Sequence, residues 1–332
     1  MTIARDEAFS APRRGLAILW ALGAAAVAGA VALVFAGTDY ALTAATLILL
    51  NCALAQCWNL AAGYAGQFSI GHTVFFGIGG YASTILFTRV GLSPWVGMIA
   101  GGLLAALAGA VLSAVAFRCR IKGVFFAVVT LSATEVVRSL FDNWDFIGGS
   151  GGVYMILADD PANMLFTARL PYFLIILGFV LCLAAGTRVM ARSRFGQYLL
   201  AVREDEDAAE ASGVPTFRVK VAVIALSAFL TALAGTFYAQ FLLFIVPETL
   251  FSFEHVLAML LGTIVGGAGT VSGPIIGSIL FGLLSELMRS LPFADSREVT
   301  SALRIVYAVV LIVTVIRLPG GLVSLLPSSR RS

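Results

Sequence analysis

The stretch RVMARSRFGQYLLAVREDEDAAEASGVPTFRVK, residues 188–220, is the one long charged interruption in a chain that is otherwise mostly apolar. Arg188, Arg192 and Arg194 lead in, and Arg203, Glu204, Asp205, Glu206, Asp207 and Glu210 crowd the middle. Gly213 and Pro215 close it, and Arg218 and Lys220 lead out. Apolar runs at 172–190 and 221–246 flank it. A helix that crosses a bilayer needs about 20 mostly apolar residues, so runs of this length read as spans and the charged stretch between them as a loop in water.

Composition supports lipid as the solvent. Of 332 residues, 60% are hydrophobic and 12% are charged, whereas a soluble domain carries about 25% charged residues. The mean hydropathy is +0.98. A polytopic membrane protein follows. The net charge of +3 does not point to nucleic acid, because the basic residues fall in loops, where topology accounts for them. The four cysteines form no C-x-x-C and there are two histidines, His72 and His255. Neither a disulfide framework nor a metal site is expected.

Ten apolar runs can be placed, at 16–36, 41–62, 73–87, 95–117, 124–141, 172–190, 221–246, 253–265, 274–288 and 303–316. The first follows Arg13 and Arg14 and exceeds the roughly 7–15 residues of a signal-peptide core, so it reads as a span. The third, eighth, ninth and tenth are short, and some of these are expected to be broken or re-entrant. With the N-terminus inside, fifteen of the 21 Lys and Arg residues face the cytoplasm and six (Arg89, Arg138, Arg169, Arg289, Arg297 and Arg304) face out, as the positive-inside rule requires. The expected fold is an all-α polytopic membrane protein with about ten transmembrane helices, broken or re-entrant segments and both termini cytoplasmic. Eight spans plus re-entrant pieces is the competing count. The expected division is a cytoplasmic tail at 1–15, a transmembrane domain at 16–317 and a second tail at 318–332. An external segment at 142–169 and the cytoplasmic loop at 188–220 lie within the domain.

Small residues recur every four positions at Gly97, Gly101, Ala105, Gly109 and Ser113. This spacing lets helix backbones approach closely in lipid. Two glycine-rich interruptions share the pattern G-x-A-G-x-x-S, one at Gly63–Ser69 and one at Gly266–Ser272. Helix breaks at corresponding places in two halves of a transporter point to a substrate path. The helix before the first break carries Asn51, Gln56 and Asn59. Uncharged amides suit a path for a polar or zwitterionic solute, and they also suit hydrogen bonds between helices. Asn51, Gln56, Asn59, Gln67, Ser69 and Ser272 are therefore the candidate path residues. Glu135 with Arg138, and Glu286 with Arg289, sit three apart and are expected to pair locally.

The chain has no G-x-x-x-x-G-K-[ST], H-E-x-x-H or G-x-S-x-G motif and no arginine-rich voltage-sensor helix. ATP binding by a P-loop and zinc or serine hydrolysis are not expected of it. In the charged loop, good helix formers followed by Gly213 and Pro215 predict a short helix over about 204–212. Asp207-Ala208-Ala209-x-x-x-Gly213 places small residues where a partner could close over them.

This D-A-A-x-x-x-G resembles the E-A-A-x-x-x-G loop by which permeases of ABC importers dock onto their ATPases. The loop sequence, together with NLAAGYAGQFSIGHTVFFGIGGY (59–81) and GTIVGGAGTVSGPIIG (262–277), is similar to the branched-chain amino-acid permease family of the LivM type. Two departures stand out. Asp207 stands where the general motif has Glu, and Gln197 where this family often has a basic residue. The resemblance implies a multi-pass permease of the bacterial inner membrane and a coupling loop at Arg203, Glu204, Asp205, Asp207, Ala208, Ala209 and Gly213. It implies no cofactor in this chain, with ATP and Mg on partner subunits. The implied partners are a second homologous permease subunit, two ABC ATPase subunits and a periplasmic solute-binding protein. The implied solutes are Leu, Ile and Val, with urea, short amides or another small polar solute as alternatives. An ion-coupled secondary transporter is the rival class.

Overall fold

The computed structural model of the protein describes residues 39–155, 160–289 and 321–325. Every apolar run within them is helical. In chain order the helices are α1 (Asp39–Asn59), extended by a π-helical turn at Leu60–Tyr64, α2 (Thr73–Val90), α3 (Pro94–Arg118), α4 (Val124–Asp142), α5 (Leu170–Arg192), α6 (Arg194–Glu204), α7 (Glu206–Ala211), α8 (Thr216–Leu242), α9 (Pro247–Leu250), α10 (Phe253–Gly266) and α11 (Gly273–Arg289). Six stretches among the described residues are long and apolar enough to cross a membrane: Asp39–Tyr64, Pro94–Arg118, Val124–Asp142, Leu170–Arg192, Thr216–Leu242 and Pro247–Gly266. The chain is an all-α polytopic membrane protein. The short eighth run reaches 20 residues because α9 precedes it. The expected first and last spans, both tails and the sidedness of the termini lie outside the described residues.

Two helix groups share α1 and α8 as their centre. In the first, α2, α3 and α8 pack side by side through glycine. A Cβ on Gly79 would sit 2.1 Å from the Ala232 carbonyl oxygen, and one on Gly235 would sit 2.0 Å from that of Phe76. The small-residue stripe of α3 is buried in this contact. Gly97 meets Ser83, Gly101 meets Gly79 and Gly109 meets Ala228, so the stripe serves packing within the chain. In the second group α1 packs on α5, α10 and α11. The Thr263 hydroxyl donates to the Ala55 carbonyl at 3.0 Å and the Ser278 hydroxyl to the Asn51 carbonyl at 3.3 Å. Hydroxyls inside helices are satisfied one turn back, as at Thr46, Ser113 and Thr134, the economical solution where no water is available. The outward faces of α3 and α4 are apolar and exposed, with Leu103, Leu107, Val111, Val124, Phe125 and Val136.

At the end remote from the charged loop, β1 (Val153–Tyr154) pairs antiparallel with β2 (Phe244–Ile245). Tyr154 stacks on Phe244 at 4.1 Å between centroids. This two-residue ladder ties the segment after α4 to the exit of α8. Glu135 and Arg138 form the expected ion pair, at 3.0 Å. Glu286 accepts a hydrogen bond from the Tyr40 hydroxyl. Its expected partner, Arg289, has a side chain outside the described residues.

Candidate coupling loop and glycine seam

The charged loop folds as two short helices at a right-hand corner of the sequence pattern, α6 then α7. Ser193 caps α6 by accepting from Gly196 N at 3.3 Å. Asp205 caps α7 by accepting from the amides of Asp207 and Ala208, both at 3.0 Å. The helix expected over about 204–212 is α7, and Asp205 separates it from α6. Asp205 is extended, with φ −156° and ψ 109°, because its carboxylate satisfies the orphan amides of a new helix. At the far end Gly213 has φ +85°. Its amide donates to Glu210 O at 2.9 Å, and Val214 N donates to Ala209 O at 3.0 Å. These two bonds make a Schellman stop, which needs a left-handed residue after the cap. Ala208 is exposed and Ala209 is 5% exposed, packed into the bundle.

The acids of α7 are held within the chain. Glu206 pairs with Lys220 at the start of α8 and with Lys122, in the connection between α3 and α4, at 3.5 Å. Asp207 accepts from Lys122 at 3.2 Å. The Lys220 ammonium also lies 4.3 Å from the centre of the Phe117 ring, a cation–π contact in a partly desolvated site. The hydrogen bond that Lys122 donates to Asp207 and the charge of Glu206 raise the Lys122 pKa above its ordinary 10.5. Glu206, Lys122 and Lys220 are thus part of the loop's architecture. Sequence reasoning used the two lysines only as topology charges, because their partners are distant in sequence. Glu204 and Glu210 are exposed.

The two glycine-rich breaks meet beside this loop. Asn59 donates through Nδ2 to the Thr270 carbonyl at 2.9 Å and accepts through Oδ1 from Gly269 N at 2.8 Å. Gln56, one turn earlier, donates to the Val271 carbonyl at 2.6 Å. Both amides are 0% exposed. A Cβ on Gly63 would lie 2.6 Å from Gly269 N, so the backbones touch. The breaks also match in conformation: Gly66 has φ +69° and Gly269, at the same place in the motif, has φ +79°. At each break a threonine hydroxyl takes up amides of the returning chain, from α4 at the first and from within the break at the second. Thr130 accepts from Ile70 N and Gly71 N, and Thr270 accepts from Gly273 N.

Of the six candidate path residues, the structure brings Gln56 and Asn59 onto the second break, directly beside Ser272. Asn51 lies two turns up α1 and is partly exposed, Gln67 bonds the Ala65 carbonyl at 2.9 Å, and Ser69 is buried with its carbonyl accepting from Trp58 Nε1 at 2.7 Å. The chain after Gly66 re-enters the bundle. His72 Nε2 lies 2.9 Å from Ser227 Oγ. Because the Ser227 hydroxyl donates to the Cys57 carbonyl at 2.6 Å, the imidazole nitrogen is the donor. Ser227 stands about 16 Å along α8 from Thr216 at 1.5 Å per residue. Helix α2 therefore starts beside Ser227, about three turns into α8. Among the described residues no group of three or more His, Cys, Asp or Glu side chains could hold a metal ion.

Comparison with known proteins places these features. Residues 37–315 match the family model described as branched-chain amino acid transport system / permease component. The chain is 30% identical over 273 residues to the high-affinity branched-chain amino acid transport system permease protein LivM of Escherichia coli, covering 74% of this chain and 63% of that one. It is 31% identical over 199 residues to the L-arabinose ABC transporter permease protein AraH of Azospirillum brasilense, covering 57% and 56%. It is 31% identical over 126 residues to the ribose import permease protein RbsC of Haemophilus influenzae, covering 36% and 39%. The matched region thus spans 63%, 56% and 39% of the length of these relatives. No solved structure matches.

Proposed function

Because the chain belongs to the branched-chain amino acid transport system permease family, we propose that it is the membrane-spanning subunit of an ATP-driven importer that carries Leu, Ile and Val inward. The observation that carries this reading is α7. It is a short helix outside the spans, capped by Asp205, stopped at Gly213 and held to the bundle through Lys122 and Lys220. Its exposed Ala208 offers a flat surface to a partner. A rigid, small-faced element of this kind suits docking, because a preorganised surface binds without an ordering cost. In this reading ATP is hydrolysed on two partner ATPases. A second permease subunit completes the path, and a solute-binding protein delivers the solute. Arg203, Glu204, Asp205, Asp207, Ala208, Ala209 and Gly213 form the coupling element.

The path is proposed to follow the seam between the glycine breaks, past Asn51, Gln67, Ser69 and Ser272, with Gln56 and Asn59 closing it in this state. Gln56 Oε1 and Ser69 Oγ are buried and make no hydrogen bond among the described residues. Buried acceptors of this sort are costly to leave unmet and suit a seam that water or a polar solute enters. Relatives named for L-arabinose and ribose make sugars the second reading.

The test is to tag the chain, purify it in mild detergent from its own host, and identify co-purifying P-loop ATPases by mass spectrometry. Ala208→Arg and Gly213→Trp are expected to abolish co-purification while leaving the chain folded. Equal recovery of ATPases with both variants would sink the docking assignment. Uptake of labelled L-leucine, competed by isoleucine and valine but not by L-arabinose, is expected; competition by arabinose alone selects the sugar reading.

A further inference from the structure

Arg203 belongs to the last turn of α6, two residues before the Asp205 cap of α7. Its guanidinium does not face a carboxylate. Nη1 donates to the carbonyl of Gly63, in the π-helical turn that opens the first break. The same nitrogen lies against Gly269 of the second break, where a Cβ would stand 2.3 Å away. The aliphatic stem packs on Gly66, where a Cβ would stand 3.3 Å from Cγ. One side chain, rooted in the loop, therefore touches both breaks at the point where they touch each other.

Three features make this contact a moving part. Arg203 is exposed, so withdrawing it leaves no buried charge behind, a penalty that would lock a buried arginine in place. Its acceptor is a carbonyl at the end of a helix, which water takes over when the guanidinium leaves. Its root is coupled rigidly to α7, because Asp205 N donates to Ala201 O at 3.1 Å while the Asp205 carboxylate caps the docking helix. A tilt of α7 is thus transmitted to the guanidinium within a few residues.

We propose that Arg203 is the latch through which movement of the coupling loop reaches the two glycine breaks, holding the seam shut while it is engaged. The proposal rests on the permease reading for its purpose and on the Gly63, Gly66 and Gly269 contacts for its geometry. A residue that merely satisfied one carbonyl would protect the first break alone. A latch protects both.

The experiment is hydrogen exchange by mass spectrometry on the full chain in detergent. With Arg203→Ala, amides at 60–69 and 266–272 are both expected to exchange about tenfold faster or more, the scale of a lost charge-assisted bond, while 143–155 at the far end is unchanged. Acceleration of one break only, or of neither, overturns the latch. Should Arg203→Ala fail to fold, Arg203→Lys carries the test. It keeps one donor for Gly63 and lacks the planar guanidinium whose Nη1 and Cζ lie against Gly269, so 266–272 alone is expected to exchange faster, and wild-type exchange there overturns the proposal. In the assembled complex, compared at equal ATPase content, Arg203→Ala is expected to lose L-leucine uptake about tenfold, and uptake within about twofold of wild type overturns the coupling role. If the wild-type complex takes up no leucine, the solute reading fails while the exchange result still decides the latch.

Discussion

Asn59 shows how much one uncharged side chain can do at the edge of a membrane bundle. Its amide satisfies one backbone acceptor and one backbone donor of the second break, at Thr270 and Gly269. Asn59→Leu removes both partners and leaves two backbone groups to find water. The expected loss is about 1–3 kcal/mol, since an unmet buried polar group costs that much, and thermal unfolding in detergent measures it. Asn59→Asp can still accept from Gly269 N but cannot donate to Thr270, so it is expected to lose stability as well. A shift within error for both substitutions would mean that the seam is held elsewhere. Lys122 gives a different kind of prediction. Its pKa is raised in the folded chain by Asp207 and Glu206, so its contribution is complete below the unfolded value and is lost as pH rises through the folded one. The tether of α7 is expected to be insensitive to pH between 6 and 9 and to weaken only above about 10.5. Exchange of the amides at 206–211, followed against pH and corrected for intrinsic rates, checks this. A loosening near neutral pH that Lys122→Gln abolishes would show the sign to be wrong.

At the scale of elements, a helix that docks a partner must be short, preorganised and cleanly stopped, and α7 has a device at each end. Asp205→Ala removes the acceptor for two amides and is expected to cost about 1 kcal/mol of local stability, read as faster exchange over 206–211. Asp205→Ser restores most of it. Existence of the helix was legible from the sequence because its formers, its Gly213 and its Pro215 are local signals. The division at Asp205 was not, because one carboxylate within an acidic run looks like any other until its backbone is extended. The same contrast runs through the bundle. The apolar runs and the α3 stripe were legible from period and length, and every described run is a helix. The break before His72 was legible from its glycines and the short run after it, but its anchor was not, since that is Ser227 in a helix 155 residues away. The amides at Gln56 and Asn59 were legible as a place, with path lining and interhelical bonding both open. The structure shows the bonding, to backbone that the sequence cannot position.

At the scale of the whole molecule, the question is what drives the seam. A secondary transporter needs an ion site that both faces of the membrane can reach. Among the described residues, two charges of the long spans are held in ion pairs. Glu135 is paired with Arg138 on its own helix, and Lys220 is paired with Glu206 at the mouth of α8. Some mid-helix hydroxyls, such as those of Thr46 and Thr134, turn back on carbonyls of their own helix. By contrast, a chain of contacts runs from the exposed α7 through Asp205 and Arg203 to Gly63 and Gly269 in the interior. In the proposed reading, work delivered at α7 reaches the seam along this route. Uptake of L-leucine by the reconstituted complex is expected to require ATP inside, to stop with orthovanadate and to stay within about twofold when a protonophore or sodium ionophore collapses the gradients. Uptake that follows an imposed proton or sodium gradient without nucleotide would refute the ATP-driven reading and return the Glu135–Arg138 pair to consideration as a carrier of charge.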